Sequence, residues 1–164
     1  MRTIIDDLKE NELKKIKFNK EDILISSINC NKHCIGCFSC WIKHPKKCAL
    51  NDDFSNMTEL LRESDEFIII SKCRYGCYSS STKKVLERCI GYVLPYFTIR
   101  NNEIHHACRY ERKLKFKTYF YGDITEKDKM ILNKLIKANA ININAKSYKV
   151  ICINNIKELQ KCIL

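Results

Sequence analysis

The run Phe67-Ile68-Ile69-Ile70 decides the fold, because it places four large apolar residues in succession and three of them are β-branched. Strands that are covered on both faces read as continuous apolar runs, whereas half-exposed strands alternate apolar and polar residues. The run therefore predicts a strand at the centre of a parallel sheet.

Apolar segments alternate with helical patterns on both sides of this run. Parallel strands need helical crossovers, so the chain predicts an α/β protein with a doubly wound sandwich of five parallel strands. Pro95 is expected to end the third helix, and residues 96–110 to form a long connection with a turn at Asn101-Asn102. The predicted strands span residues 3–5, 22–27, 67–70, 114–121 and 148–153, and the predicted helices span residues 10–16, 57–63, about 80–93, 125–139 and 156–163.

The loops after the first, third and fourth strands are the expected place for a site. In open parallel sheets, ligands bind beyond the carboxyl ends of the strands, where the strand order reverses. The 164 residues show no internal repeat, no low-complexity tract and no linker. We therefore expect one domain over residues 1–164, with its site at one edge of the sheet.

Charge and cysteine content narrow the class of protein. The formal net charge is +11, but the lysines are scattered along the chain rather than clustered, so we expect no nucleic-acid partner. Eleven cysteines without a signal peptide favour the reducing cytoplasm over a disulfide-bonded secreted domain. The apolar runs are too short to span a bilayer, so we expect no membrane association.

The segment Cys34-Ile-Gly-Cys37-Phe-Ser-Cys40-Trp41, followed by Cys48, places four thiols within fifteen residues. Iron–sulfur clusters are held by four thiolates, and overlapping C-x2-C spacings let one loop surround a [4Fe-4S] cubane. Structural zinc sites usually use two separated pairs of ligands, which this spacing fits less well. Buried, unmetallated thiols are the third interpretation, and the sequence leaves all three open.

Several segments together resemble the flavodoxin-like family, in particular the NADPH-dependent FMN reductases and iron–sulfur flavoproteins. The resemblance covers nearly the full chain. It implies a three-layer sandwich with strand order 2-1-3-4-5 that binds FMN and assembles as a homodimer or homotetramer. The matching segments are the cysteine motif with Asp52-Asp53, residues 70–76, residues 83–88, residues 94–97, Glu103-Ile-His105-His106 and Arg109-Tyr110.

The resemblance also implies the activity and the residues that carry it. It implies an NAD(P)H-dependent flavin oxidoreductase that passes electrons to a small-molecule or protein acceptor. Independently of the resemblance, His105 and His106 are the candidate proton donors, because imidazole titrates near neutral pH; the alternative is a hydrogen-bonded histidine that packs at a subunit contact. Cys34, Cys37, Cys40 and Cys48 are the candidate cluster ligands. The implied FMN-binding residues are Cys73, Arg74, Tyr75, Gly76, Cys77, Tyr78, Pro95, Tyr96, Phe97 and Arg109.

One departure from the family pattern supports a second hypothesis. Flavodoxin-like proteins usually follow the first strand with a Gly- and Ser/Thr-rich loop that holds the FMN phosphate at a helix N-terminus. This chain has Asp6-Asp7-Leu8-Lys9-Glu10-Asn11 there, with three carboxylates and no glycine. It thus resembles a compact subgroup without the usual phosphate-binding loop. The alternative is a non-catalytic relative without FMN, whose cysteine motif serves thiol sensing, zinc binding or subunit contact.

Overall fold

The computed structural model describes residues 1–163, apart from the side chains of residues 161 and 162. Five parallel strands form one sheet in the order β2-β1-β3-β6-β7, and β4 pairs with β5 in a separate antiparallel hairpin. The predicted five-stranded parallel order is therefore confirmed, with β6 and β7 as its fourth and fifth strands. The strands are β1 Arg2–Asp6, β2 Asp22–Ser26, β3 Glu66–Lys72, β4 Val93–Arg100, β5 Glu103–Cys108, β6 Lys115–Tyr121 and β7 Ser147–Ile153.

The central strand β3 is buried on both faces, as its sequence predicts. Ile68, Ile69 and Ile70 are all inaccessible to solvent. Successive side chains of a strand point to opposite faces, so Ile69 joins one apolar cluster and its two neighbours join the other. Three layers result, with the sheet in the middle.

Five helices cover the two faces of the sheet. Residues of α2, α3 and α4, among them Leu61, Val85 and Leu132, pack in the cluster that contains Ile69. Leu159 of α5 packs in the opposite cluster. The helices are α1 Glu10–Leu13, α2 Met57–Glu63, α3 Ser80–Glu87, α4 Glu126–Asn142 and α5 Ile156–Ile163. Within residues 1–163, no helix combines the length and apolar character needed to cross a membrane.

The expected long connection over residues 96–110 is wrong, because β4 and β5 pair there as a hairpin. Asn101 and Asn102 form its two-residue turn, and both have positive φ, which the favoured hairpin turn requires. The expected third helix is also too long: it ends at Glu87, and a short 3-10 turn leads into β4. Pro95 lies inside β4, where a two-stranded hairpin tolerates a residue without an N–H donor.

Helix boundaries differ elsewhere by a few residues. Helix α1 has one turn and ends at Leu13, before the predicted residue 16, whereas α4 extends three residues past the predicted end. The preference of Ser, Thr, Asp and Asn for helix N-caps predicts Thr125 as the cap of α4, and its hydroxyl accepts the N–H of Asp128 at 3.1 Å. The same preference predicts Asp53 or Ser55 as the cap of α2, but this helix begins after Asn56.

Candidate functional site

A cavity of about 880 Å³ lies over one face of the sheet. Its walls come from residues 34–48, here called the cysteine loop, from α3 and the turn after it, from the β4–β5 hairpin, and from the second half of α4. The predicted site residues that line it are Cys34, Cys37, Cys40, Cys48, Cys77, Tyr78, Phe97, His105 and His106. Side chains that lie far apart in the sequence therefore border one space.

The floor of the cavity reaches the amino ends of two strands of the sheet. Phe67 and Phe116 form part of its floor, and each is the second residue of its strand. The two rings stack with centroids 5.5 Å apart. The predicted FMN-binding residues divide between two places: residues 73–76 lie in the turn at the carboxyl edge, whereas Cys77, Tyr78 and Phe97 border the cavity.

The turn after β3 is tight and projects an aromatic ring into solvent. Arg74 and Cys77 pair across it, and Tyr75 at its tip has φ +54° and is 95% exposed. Gly76 has φ +69°, and a Cβ there would lie 2.7 Å from the Cβ of Ile131. Glycine is thus needed at this position both for backbone conformation and for packing against α4.

Tyr78 belongs to the core rather than to the open edge of the sheet. Its hydroxyl accepts a hydrogen bond from the Asn139 side chain at 3.0 Å, and its ring contacts Phe120 with centroids 5.4 Å apart. Burial raises the pKa of Tyr78. The ring can border the cavity, but it is not free to stack on a ligand at the carboxyl edge.

The four predicted ligand cysteines lie near one another. Burial raises the pKa of Cys40, and the charges of Cys48, Cys34 and Cys37 raise it further. Cys37 is exposed, while the other three are half-buried. Within the part of the chain that the structure describes, no three His, Cys, Asp or Glu side chains are arranged to hold a metal ion. The cluster ligands therefore remain a prediction.

A buried guanidinium fixes the end of the cysteine loop. The side chain of Arg88 is inaccessible to solvent and donates to the Asp52 carboxylate at 2.8 Å. Burial acts to lower the pKa of Arg88, but its contacts with Asp52 and Cys48 outweigh that effect and raise it. The Cys48 N–H donates to the Ser55 carbonyl at 2.9 Å. The loop thus has a fixed anchor beside its fourth cysteine.

An aromatic stack joins the cysteine loop to the hairpin. Trp41 stacks on Phe38 with centroids 5.3 Å apart and contacts His106 at 5.0 Å. Phe97 contacts the same imidazole at 4.9 Å. The indole N–H of Trp41 donates to the Val93 carbonyl at 2.9 Å, which fixes the stack at the base of the hairpin.

The two adjacent histidines face different neighbours, as expected for consecutive residues of a strand. His106 Nδ1 lies 2.8 Å from the Leu94 carbonyl and donates to it. His105 Nδ1 lies 3.2 Å from Asn142 Oδ1, and its Nε2 lies 3.2 Å from Glu103 Oε2. His106 is held within the aromatic stack, whereas His105 sits between a carboxylate and the end of α4.

Arg109 supports the hairpin rather than presenting a free charge. Its Nε–H donates to the Gly91 carbonyl at 2.7 Å. A Cβ at Gly91 would lie 2.6 Å from Thr58 Oγ1, so the turn before β4 packs closely on α2. Pro95 and Tyr96 lie in β4, away from the predicted residues at the carboxyl edge.

A buried carboxylate occupies the carboxyl edge between β1, β3 and β6. Asp7 is 8% exposed and accepts the backbone N–H of Lys72 at 2.9 Å. The hydroxyls of Ser71 and Tyr121 donate to it at 3.1 and 2.9 Å. Three donors from two other strands thus converge on one side chain of the loop after β1.

The neighbouring Asp6 is also buried. Its Oδ1 accepts the Leu8 N–H at 3.1 Å, while Oδ2 has no hydrogen-bond partner among the residues that the structure describes. Burial raises the pKa of Asp6 to about 6, and the charge of Asp7 adds to the shift. The next N–H along, that of Lys9, donates to Glu12 at 2.8 Å. The two N–H groups that precede α1, those of Leu8 and Lys9, are therefore already bonded to carboxylates of the chain.

No protein-family model and no curated protein matches the chain. Its structure is similar to the crystal structure of an FMN-dependent NADH-azoreductase from Bacillus anthracis in complex with FMN, with a TM-score of 0.54. The match covers 99% of this chain and 93% of the other, at 11% sequence identity. The protein has a flavodoxin-like fold. At this identity the likeness is one of fold, and the bound FMN is a property of the azoreductase.

The flavodoxin-like fold locates the expected cofactor position. Ligands of open parallel sheets bind where the strand order reverses, which here is between β1 and β3. A phosphate at that place needs unpaired N–H donors and positive potential. The loop after β1 instead presents the buried carboxylates of Asp6 and Asp7. The residues present at this edge therefore do not fit the phosphate of FMN.

The sequence did not indicate the roles of three residues that shape the cavity or the carboxyl edge of the sheet. Asp7 belongs to the acidic loop that departs from the family pattern, but its three hydrogen-bond donors lie on other strands. Arg88 belongs to a matching segment, residues 83–88, and its buried ion pair to Asp52 has no local signal. Asn142 contacts His105 from the end of α4, a contact that no spacing in the sequence indicates.

Proposed function

We propose that the protein is a flavin-dependent oxidoreductase whose redox site borders the cavity. The observation that carries this proposal is that one cavity collects the predicted thiols and both predicted imidazoles. The flavodoxin-like fold, shared with an FMN-dependent NADH-azoreductase, supports the class of reaction. Because folds host many chemistries, the cavity and its side chains carry more weight than the likeness.

The volume and lining of the cavity suit an aromatic small molecule. Small-molecule sites are concave, largely apolar and roughly 300–1,000 Å³ in volume, with a few polar groups that set orientation. Phe38 and Phe97 supply aromatic faces at its border, and the side chains of Asn139 and Asn142 supply polar groups. A bound flavin would supply hydride and electron transfer, with NAD(P)H as the proposed hydride donor.

His105 is the candidate proton donor of this site. Imidazole changes charge near neutral pH, which suits general acid or base work. The Glu103 carboxylate and the Asn142 amide lie at its two nitrogens and orient the ring. His106 is the weaker candidate, because its ring is held between the aromatic side chains of Trp41 and Phe97.

The cysteine loop is proposed to carry a [4Fe-4S] cluster beside the cavity. Its support is that Cys34, Cys37, Cys40 and Cys48 all line the same space, in a loop anchored by Arg88. Four thiolates are the usual ligands of such a cluster. Zinc and free thiols remain the competing assignments for these side chains.

Spectra and turnover of the oxygen-free protein test the proposal. We expect flavin absorption bands after incubation with flavin, and oxidation of NADH or NADPH by the complex. His105→Gln is expected to lower turnover with little change in flavin affinity. His44→Gln is the matched control, because His44 is exposed and lies on the cysteine loop. Absence of both flavin binding and NAD(P)H oxidation would contradict the proposal.

A second function is favoured by the buried pair Asp6 and Asp7. A flavodoxin-like protein whose phosphate position is filled by carboxylates can act without FMN, as a thiol sensor, a zinc protein or a subunit-contact module. Exposed apolar residues on the hairpin, among them Ile99 and Ile104, support a contact with another subunit. Protein that stays colourless and gains no thermal stability with any flavin would favour this second function.

A further inference from the structure

We infer that the protein binds flavin in the cavity and recognises its ring system rather than its phosphate, so that riboflavin binds about as tightly as FMN. This inference rests on the proposed function and adds to it which part of the flavin the protein recognises. It follows from three features: the carboxylates at the carboxyl edge, the charges around the cavity, and the aromatic residues at its border.

The carboxyl edge is closed to an anion. The Asp7 carboxylate takes the donors of Ser71, Lys72 and Tyr121, which a phosphate in that crevice would need. Asp6 lies beside it, fully buried, and among the described residues one of its oxygens has no hydrogen-bond partner. A phosphate dianion placed there would lose hydration and meet two acceptors instead of donors. Both effects cost free energy.

The cavity offers no cationic cradle either. Among the described residues that line it, the permanently cationic side chains are Lys83 and Arg88. Arg88 is buried and already bonded to Asp52. Lys83 is exposed and is followed one helical turn later by Glu87, which also lines the cavity. The opposite charges offset each other, so a phosphate gains little there.

The ring system, in contrast, has partners in the cavity. Phe97 lines it while remaining 70% exposed, so its ring is available for stacking at the entrance. Aromatic pairs contribute about 0.5–1.5 kcal/mol beyond the area they bury. Trp41, the one tryptophan of the chain, stacks on Phe38 and contacts His106, and both of these residues line the cavity. Its fluorescence should therefore respond to a bound flavin.

Parallel titrations with riboflavin and FMN in phosphate-free buffer test the inference. We expect dissociation constants that agree within about threefold, with quenching of Trp41 fluorescence by both ligands. Phe97→Ala should weaken the binding of riboflavin and of FMN by about tenfold each, since it removes a stacking partner from an exposed position without disturbing the core. Asp6→Asn is the matched control at the carboxyl edge and should leave both constants unchanged.

The outcomes separate this inference from the proposed function. FMN binding more than about tenfold tighter than riboflavin would mean that the phosphate is recognised, and would overturn the inference while flavin binding stands. Competition by inorganic phosphate, or a gain in FMN affinity with Asp6→Asn, would overturn it in the same way. Binding of both flavins without any effect of Phe97→Ala would place the ring elsewhere. If neither flavin binds, the proposed function fails, and this inference with it.

Discussion

The Asp7 carboxylate accepts a hydrogen bond of 2.9 Å from the phenol of Tyr121, a residue 114 positions later in the chain. This bond ties the loop after β1 to the end of β6 across the intervening strand β3. Burial raises the pKa of Tyr121, and the charge of Asp7 raises it further. Asp7 and Tyr121 form an internal contact where an anion-binding loop would be expected. We therefore expect the main role of this pair to be structural.

Tyr121→Phe should therefore lower stability without changing ligand affinity. The change removes one donor from a buried carboxylate that keeps the donors of Ser71 and Lys72, so we expect a loss of about 1–2 kcal/mol in the free energy of unfolding. Denaturant titration measures it. Tyr75→Phe is the control, because Tyr75 is 95% exposed and should change stability by less than about 0.5 kcal/mol. Equal stability of the two variants would contradict the structural role.

Asp6 should make stability fall as pH rises through weakly acidic values. Its pKa of about 6 in the folded protein lies above the unfolded value of about 3.9, so the folded state holds the proton more tightly. Stability from this group is therefore greatest below about pH 4 and is lost between about pH 4 and 6, by about 3 kcal/mol in total. The neighbouring charge of Asp7 contributes to the same shift.

Asp6→Asn should remove this dependence. Relative to the unchanged protein, the variant should gain stability as pH rises from about 4 to 7, as measured by denaturant titration at each pH. Asp123→Asn, at an exposed turn, is the control and should keep the original pH profile. If the stability of Asp6→Asn followed the same pH profile as that of the unchanged protein, the pKa of Asp6 would not be raised in the folded state.

Asp52→Asn should destabilise the protein more than its position near the surface indicates. The change leaves the buried Arg88 guanidinium without its carboxylate, which typically costs about 3–5 kcal/mol. Asp53→Asn, one residue along and exposed, is the matched control with little expected effect. Thermal unfolding measures both. Similar unfolding temperatures for the two variants would mean that the ion pair does not anchor the cysteine loop.

Cys37→Ser should abolish iron retention if the cysteine loop holds a cluster. Reconstitution with iron and sulfide without oxygen should give about four irons per chain in the unchanged protein and a brown absorption shoulder, because four thiolates hold one cubane. Cys73→Ser, outside the cysteine loop, is the control and should keep both. Unchanged iron content in Cys37→Ser would rule out that assignment.

Local sequence patterns were sufficient for the sheet. A buried strand such as Phe67 to Ile70 is visible as an apolar run in the local sequence. Helices that alternate with the strands then indicate a parallel sheet, because parallel strands need crossover connections. The turn at Asn101-Asn102 was also predictable, because those residues tolerate positive φ. The hairpin itself was missed, because Pro95 argues against a strand and the pairing that permits it is not local.

For the candidate site, too, some features follow from the local sequence and others only from the tertiary structure. The sequence by itself determined the four close cysteines, the adjacent histidines and the acidic loop after the first strand, because each is a feature of neighbouring residues. Only the tertiary structure decided that the cysteine loop, the hairpin and α4 enclose one cavity, and that Asp7 is satisfied by Ser71, Lys72 and Tyr121. Those contacts join residues separated by tens of positions, and their energies depend on burial, which no local pattern specifies.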